Sequence, residues 1–342
     1  MKALVFEGPW EMPLRERADP QPSSGEVVVS VRAAGICGSD VHGYIGSTGR
    51  RRPGVVMGHE ASGIVAVVGE GVASVRPGDR VALRSVLSCG TCDSCLAGRP
   101  NICARRRGLG MHLDGAYAEC VTVPEALVAP LPDALSFEQG AMIEPLAVAM
   151  HAVNITPVEL MDRVAIVGAG TIGLLTLLAV GLRGAGRTVI TDRSTHRLEM
   201  ARALGADAAI DVDAGDPVVA VREALGGRGA DAVFEAVGSS PTVQQSLSVV
   251  RAGGHVTWIG NLEPRVELGM QDLVTKEVTL RGAYAYGTDG EFDRAAEALA
   301  AGRVDVRPLI EKVAGLAEGT SLFREIADGR LAAVKIILAP GS

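Results

Sequence analysis

The chain has 342 residues, of which 47% are hydrophobic and 21% charged, so it can form two globular domains. Its net charge of −7 and its 3% of aromatic residues argue against binding to nucleic acid or to an anionic membrane. The N-terminal segment lacks a signal-peptide pattern, so we expect a cytoplasmic protein whose six cysteines are ligands or packing residues rather than disulfides.

Two sequence patterns divide the chain. Residues 1–146 contain short β-branched runs bounded by glycine and proline, which predict strands at 27–31, 63–68 and 79–83. Residues 147–286 alternate apolar strands with helices such as 173–183 and 196–204, which predicts a doubly wound parallel sheet. The predicted strands there are 163–167, 188–191, 208–210, 232–235 and 255–259. Residues 287–342 contain a predicted helix, 291–301, and a last strand, 335–338, which we expect to rejoin the first domain.

Three separate segments carry residues that could bind one metal ion. Cys37 lies in the first segment, His59 and Glu60 in the second, and Glu144 in the third. A thiolate, an imidazole and a carboxylate are suitable ligands for a catalytic zinc, which keeps its fourth position open for water or substrate. The residue types alone leave the assembly open, because a single cysteine or histidine is more often a packing residue.

A cluster of cysteines follows within a short lobe. The cluster consists of Cys89, Cys92, Cys95 and Cys103. Four thiolates at this spacing suit a tetrahedral zinc and leave no position open for chemistry, which predicts a structural role. The alternatives are four unligated cysteines in a loop or two disulfides.

A glycine-rich loop follows an apolar strand and precedes a leucine-rich helix. The residues that we expect to bind a cofactor there are Gly168, Gly170, Thr171, Ile172 and Gly173. The glycines permit a tight turn and the close approach of a pyrophosphate, which the helix N-terminus attracts. Asp192, 19 residues after Gly173, suits the ribose hydroxyls of NAD and would repel the 2′-phosphate of NADP. Arg193 and Arg197 keep NADP open, because an arginine can pair with that phosphate.

Taken together, these motifs resemble those of the zinc-containing medium-chain dehydrogenases, and most of all their sorbitol (polyol) dehydrogenase branch. The resemblance covers essentially the whole chain and implies an α/β protein with a Rossmann domain and a β-rich GroES-like catalytic domain. It implies a catalytic zinc on Cys37, His59 and a carboxylate, which is Glu60 in the polyol branch, with Glu144 next to the metal or joined through water. In related members the residue at the position of Glu144 ligates directly. The resemblance also implies a homodimer or homotetramer.

The same resemblance implies a path for the substrate proton. Ser39 is expected to take the hydroxyl proton and pass it through the nicotinamide ribose towards His42. Asp40 is expected to orient His59 from behind. Without the resemblance, Ser39 would be interpreted as a turn residue and His42 as a surface histidine.

The chain also departs from the polyol branch. Tyr44 matches a tyrosine that lines the polyol pocket, but Ala285 replaces the arginine that precedes the position of Tyr286. A substrate-gripping arginine is therefore missing. The run Arg50–Arg52 is either a solvated loop or a site for an acidic or phosphorylated substrate.

We therefore expect an enzyme with two zinc ions per chain that transfers hydride from a secondary alcohol, polyol or sugar-like, to NAD and gives a ketone. One alternative is an NADP(H)-dependent aldehyde or ketone reductase of the same fold. A second alternative is a non-catalytic nucleotide-binding protein, which would have lost the catalytic zinc residues.

Overall fold

The structure, a computed structural model, describes residues 1–287 and 290–341. It contains two compact units, which are Met1–Glu144 with Gly287–Ser342, and Pro145–Tyr286. We call them unit 1 and unit 2. The boundary expected after residue 146 differs from this division by two residues.

The strands are as follows in chain order. The first part of unit 1 contains β1 (Lys2–Leu4), β2 (Leu14–Glu16), β3 (Glu26–Gly35), β4 (Glu60–Val68), β5 (Arg80–Leu83), β6 (Val86–Leu87), β7 (Arg107–Gly108), β8 (Cys120–Pro124) and β9 (Val128–Pro130). Unit 2 contains β10 (Arg163–Val167), β11 (Arg187–Asp192), β12 (Ala208–Asp211), β13 (Ala230–Glu235), β14 (Val250–Trp258) and β15 (Thr279–Gly282). The chain returns to unit 1 with β16 (Ile310–Gly315) and β17 (Lys335–Ala339).

Unit 1 has fewer α-helices than strands among its described residues. They are α1 (Gly38–Ile45), α2 (Asp93–Leu96) and α3 (Phe137–Ala141), then α4 (Ile143–Ile155), which runs from unit 1 into unit 2. Unit 2 has α5 (Thr171–Arg183), α6 (Thr195–Ala203), α7 (Pro217–Ala224), α8 (Ser240–Val249) and α9 (Met270–Thr275). Unit 1 ends with α10 (Glu291–Ala300) and α11 (Gly319–Ala327). None of the helices in the described ranges is long and apolar enough to cross a membrane.

Unit 1 is built on a seven-stranded sheet in the order β16-β17-β3-β4-β5-β9, with β8 also paired to β3. The valine-rich β3 is central because its β-branched side chains pack on the pleated, buried surface of the sheet. As expected, the last strand rejoins this unit: β17 pairs antiparallel with β3 through Ile337 and Leu338. This pairing places the end of the chain beside the segment that carries Cys37.

Unit 2 is a six-stranded, wholly parallel sheet in the order β12-β11-β10-β13-β14-β15. The predicted Rossmann-type fold is confirmed, and each of the five predicted strands is present. The sixth strand, β15, was missed because its four residues, Thr-Leu-Arg-Gly, show neither an apolar run nor alternation. The strand order reverses between β10 and β13, and in such sheets ligands bind at the carboxyl ends of the strands at this point.

Candidate metal and cofactor sites

The pairing of β3 with β4 brings the first set of candidate ligands together. Gly35, the last residue of β3, pairs with Glu60, the first residue of β4. Cys37 follows β3 directly as the residue before α1, and His59 directly precedes β4. Any side chain at Gly35 would collide with the carboxylate of Glu60. Two adjacent strand ends therefore place a thiol, an imidazole and a carboxylate at one point.

The three side chains fit a zinc ion. One ligand atom from each of Cys37, His59 and Glu60 lies within 4.8 Å of the others, as zinc bonds of about 2.0–2.3 Å require. Burial lowers the pKa of His59, but Asp40 and Cys37 together raise that pKa well above its usual value. The surroundings of the imidazole thus favour a positive charge, which a bound zinc would supply.

Asp40 lies behind His59 and is completely buried. Its carboxylate accepts hydrogen bonds from Arg51 Nη2 at 2.8 Å and from the Tyr117 hydroxyl at 2.7 Å, and its Oδ2 lies 3.3 Å from His59 Nδ1. Burial acts to raise the pKa of Asp40, but His59 and Arg51 hold it well below its usual range. Asp40 is therefore a carboxylate that can fix the ring orientation of His59. Sequence reasoning missed Arg51 and Tyr117 as its partners.

Glu60 has a buried partner that sequence reasoning also missed. Lys335 Nζ in β17 lies 2.6 Å from Glu60 Oε2 and donates a second hydrogen bond to the Ile36 carbonyl at 3.1 Å. The exposed fractions of the two side chains are 1% and 2%. The signal in the sequence was a single lysine within an apolar final strand. The pair leaves Glu60 Oε1 as the oxygen without a lysine contact.

Glu144, the fourth candidate ligand, lies in the first turn of α4 and outside this group of three. Glu144 Oε1 accepts a hydrogen bond of 2.6 Å from the Ser85 hydroxyl, in a buried environment. Burial raises the pKa of Glu144 to about 7, against the opposing charge of His59. Glu144 is therefore near enough to His59 for an electrostatic interaction, while its carboxylate is hydrogen-bonded to Ser85. Sequence reasoning missed Ser85.

Ser39 and His42 lie one turn apart on α1, three residues apart and so on the same side of the helix. The Ser39 hydroxyl donates to Cys37 Sγ over 3.3 Å. His42 is half-buried, and burial lowers its pKa. Ser39 is thus in contact with a candidate metal ligand, while His42 has an imidazole that burial keeps neutral.

Tyr44 lies in the core of unit 1. The prediction that it lines a substrate pocket is wrong in this structure, because the side chain is completely buried on the inner side of α1. Its hydroxyl donates to the Trp10 carbonyl at 3.0 Å, and its ring packs edge-on against Phe323 with the centroids 5.6 Å apart. A tyrosine with its polar atom satisfied inside the core serves packing.

The four lobe cysteines converge as a second candidate metal site, with one Sγ from each within 4.8 Å of the others. The Sγ–Sγ distances are 3.4 Å (Cys89–Cys103), 3.5 Å (Cys92–Cys95), 3.7 Å (Cys92–Cys103) and 3.9 Å (Cys89–Cys95). A tetrahedron built on Zn–S bonds of ~2.3 Å has edges of about 3.8 Å. All four are free thiols rather than disulfides, so their arrangement fits a closed, structural zinc.

The glycine loop in unit 2 lies at the switch point between β10 and β13. Gly168 has φ of +97°, and a side chain at Gly173 would collide with the Gly168 carbonyl, so both positions require glycine. A Cβ at Gly170 would meet no atom within 4 Å, which leaves open space before the first turn of α5. Thr171 and Ile172 form that first turn and are half-buried. This arrangement fits the pyrophosphate of a dinucleotide.

Asp192 ends β11 beside this loop. Its Oδ2 accepts from the Ala169 N–H at 2.7 Å and its Oδ1 from the Ser194 N–H at 2.9 Å. Each carboxylate oxygen can accept one further hydrogen bond, so Asp192 could hold two ribose hydroxyls. Arg193 is exposed and its Nε lies 3.7 Å from Asp213, whereas the Nε of the half-buried Arg197 has no hydrogen-bond partner among the residues that the structure describes.

Comparison with known proteins identifies the family of this chain. Residues 23–133 match the family model described as an alcohol dehydrogenase GroES-like domain, and residues 171–301 match the one described as a zinc-binding dehydrogenase. A probable D-xylulose reductase A of Aspergillus clavatus is 34% identical, with 98% of this chain and 96% of the relative covered. The sorbitol dehydrogenase of Bacillus subtilis is 31% identical over 99% and 97% of the two chains. Among solved structures, a zinc-binding dehydrogenase of Sinorhizobium meliloti bound to NADP has a TM-score of 0.93 and 34% identity, with 99% of each chain covered.

Proposed function

The chain belongs to the zinc-binding medium-chain alcohol dehydrogenases, and from this membership we propose that it oxidises a secondary hydroxyl of a polyol to a ketone, with NAD as the hydride acceptor. The observation that carries the proposal is the convergence of Cys37, His59 and Glu60 in unit 1. A family member that had lost catalysis would not need to keep this group intact. Relatives described as sorbitol dehydrogenase and D-xylulose reductase support a polyol as the substrate.

The residues of unit 1 have separate tasks in this proposal. Cys37, His59 and Glu60 hold the catalytic zinc, which when bound lowers the pKa of the alcohol and stabilises negative charge on its oxygen. Asp40 accepts from His59 Nδ1, which leaves Nε2 for the metal and fixes the ring. Ser39 accepts the hydroxyl proton beside Cys37, and His42 receives it further along the path.

A carboxylate at the metal favours substrates with more than one hydroxyl. Glu60 and Glu144 can both accept hydrogen bonds, whereas the second thiolate of ethanol-type enzymes is a weak acceptor. A substrate that lacks the neighbouring hydroxyl would leave such a buried acceptor unpaired, which can cost much affinity in the transition state. Glu144, with its pKa raised to about 7 by burial, can also donate a proton in its neutral form.

NAD is preferred in this proposal because Asp192 occupies the position of the adenosine ribose partner, and its charge would repel a 2′-phosphate. The alternative, an NADP(H)-dependent reductase, is favoured by one observation. The buried Arg197 Nε has no hydrogen-bond partner in the described part of the chain, and a phosphate could accept a hydrogen bond from it. Among the structures similar to this chain, the Sinorhizobium meliloti dehydrogenase was solved with NADP.

We propose that unit 1 is the catalytic domain and unit 2 the cofactor domain. We also propose a cytoplasmic homodimer or homotetramer, by analogy with the family.

The test is a comparison of kcat/KM for matched alcohols, followed by NADH or NADPH absorbance. A polyol or vicinal diol should be oxidised more efficiently than a simple secondary alcohol of similar size, and NAD should be used more efficiently than NADP. A higher kcat/KM for the simple alcohol, or for a primary alcohol such as ethanol, would contradict the polyol assignment while leaving the dehydrogenase assignment intact.

A further inference from the structure

Two runs of three arginines lie in unit 1 of a protein whose net charge is −7. The first is Arg50–Arg52, which follows α1, and the second is Arg105–Arg107, which leads into β7. Sequence reasoning noted the first run and missed the second. Six guanidinium groups in two short segments are unusual for an acidic chain, and their placement decides whether they act together.

Hydrogen bonds join the segments of chain that follow the two runs. The Gly115 N–H donates to the Val56 carbonyl at 2.7 Å, and the Val56 N–H donates to Asp114 Oδ1 at 2.9 Å. A Cβ at Gly110 would lie 2.7 Å from Gly58 N, so the segments are also in close backbone contact. The two arginine runs therefore belong to segments of the chain that are held against each other.

His112 lies in the turn that follows the second run and close to arginines of both runs. It is exposed, and its Nδ1 accepts a hydrogen bond of 3.0 Å from the Gly108 N–H. Partial burial lowers the pKa of His112, and positive charges from both runs lower it further; they come from Arg52, Arg106, Arg107 and Arg51. His112 is thus a neutral imidazole that keeps its proton on Nε2, available to an acceptor.

The four arginines around His112 differ in their partners. Arg51 turns inward, with its side chain 3% exposed, and pairs with Asp40. Arg106 donates to the Cys103 carbonyl at 3.1 Å. The side chains of Arg52 and Arg107 are exposed and have no ion pair or hydrogen bond to any residue that the structure describes. Asp114, the acid closest along the chain to His112, is engaged by Arg17 and the Val56 N–H.

One of the four arginines around His112 reaches the candidate catalytic group. Arg51 connects the two, because its Nη2 is 2.8 Å from Asp40, whose other oxygen is 3.3 Å from His59. The Arg51 side chain also lies on α1, where a Cβ at Gly43 would be 2.8 Å from Arg51 Cγ. Arg52 follows Arg51 directly in the chain, so its backbone lies next to a residue that is connected to the candidate catalytic group.

We propose that Arg52, Arg107 and His112 form an anion subsite that binds a phosphate or carboxylate carried by the polyol substrate. This proposal rests on the proposed polyol dehydrogenase function and narrows its substrate class. Two planar guanidinium groups and one imidazole N–H offer donors that match the oxygens of either anion.

The experiment compares three substrates of equal carbon number with saturating NAD: a hexitol, its 1-phosphate and the corresponding hexonate. The variant is Arg52→Gln/Arg107→Gln, and the control is Arg303→Gln, an exposed arginine of unit 1 outside the cluster. We expect the wild type to favour one of the two anionic substrates over the hexitol at least tenfold in kcat/KM. The double variant should lower this ratio by roughly tenfold or more, which corresponds to about 1.4 kcal/mol. Raised ionic strength should lower the ratio as well.

A second arm measures binding without turnover. The shift in unfolding temperature caused by hexitol 1-phosphate, relative to hexitol, should be smaller in the double variant than in the wild type or the control. Equal ratios in wild type and double variant, or a wild type that favours the neutral hexitol, would overturn the anion subsite. If none of the three alcohols is oxidised, the polyol function itself fails, and the binding arm still decides whether the subsite exists.

Discussion

Replacing Lys335 by methionine should test the buried ion pair that holds Glu60. The substitution keeps most of the side-chain volume and removes the ammonium, so Glu60 loses the partner 2.6 Å from its Oε2. In chelator-treated protein, where no zinc compensates Glu60, removal of one member of this buried pair leaves an unpaired charge and costs roughly 3–5 kcal/mol of unfolding free energy. The matched control is Lys312→Met, which removes a pair with Glu318 at side-chain exposures of 41% and 51%. That exposed pair is worth about 0.2–1 kcal/mol.

The assay should report on unit 1 alone. The chain has two tryptophans, and Trp10 lies in unit 1 while Trp258 lies in unit 2. Urea unfolding followed by Trp10 fluorescence in a Trp258→Phe background therefore isolates the relevant transition. A loss in Lys335→Met no larger than in Lys312→Met would refute the reasoning. The double variant Glu60→Gln/Lys335→Met no longer contains the lone charge and should be more stable than Lys335→Met. A double variant as unstable as Lys335→Met would also refute the reasoning.

The direction of the pH dependence provides a further check on the same variant. Burial lowers the pKa of Lys335, but Glu60 and Cys37 raise it above its ordinary value of 10.5. A raised folded-state pKa means that the stabilisation by the ammonium is fully present below the unfolded pKa and is lost as pH rises through the folded pKa. The difference in unfolding free energy between wild type and Lys335→Met should therefore persist up to pH 9 and shrink only at more alkaline pH.

The remaining predictions concern the other residues of the two sites. Cys92→Ser should lose one of two zinc ions and lower stability, since structural metal binding contributes to folding; elemental analysis that finds one zinc or none in the wild type would contradict this. Asp192→Ala should narrow or reverse the preference for NAD over NADP, and a wild type that already prefers NADP would show that Arg197 dominates. Ser39→Ala should keep its NADH affinity and lower kcat by about 10² or more, whereas unchanged turnover would remove Ser39 from the proton path. Glu144→Gln should remove part of the pH dependence of the unfolding free energy between pH 4.5 and 7 in chelator-treated protein. In that range the raised pKa of Glu144 makes the folded wild type bind one proton that the unfolded chain has released. As pH rises across that range, the unfolding free energy of the wild type should fall by up to about 3 kcal/mol. An equal fall in Glu144→Gln would show that Glu144 is not the cause.

The motifs that the sequence revealed are those whose residues are close along the chain. The glycine loop, the four-cysteine lobe and the segments around Cys37 and His59 have fixed spacings because one turn or one strand end must present them together. Each could be predicted because its chemistry needs those residue types at those positions. The alternating pattern of unit 2 similarly predicted its parallel sheet, apart from the short β15.

The contacts that support these motifs could not be predicted in the same way. Glu60 and Lys335 are 275 residues apart, and Tyr117 lies 77 residues from Asp40. Only the pairing of β17 with β3 and the packing of the core bring such residues together. Tyr44 was misjudged for a related reason, since a motif gives the position of a residue on a helix but not which side faces the core.

The most direct test of the account is the zinc content and turnover of Cys37→Ser beside the wild type. The wild type should contain two zinc ions per chain and reduce NAD in the presence of a polyol. Cys37→Ser should keep the zinc of the four-cysteine lobe and bind NADH with nearly normal affinity, yet form no NADH from the polyol. Wild-type rates in a Cys37→Ser protein with one zinc per chain would contradict the claim that Cys37, His59 and Glu60 form the catalytic centre.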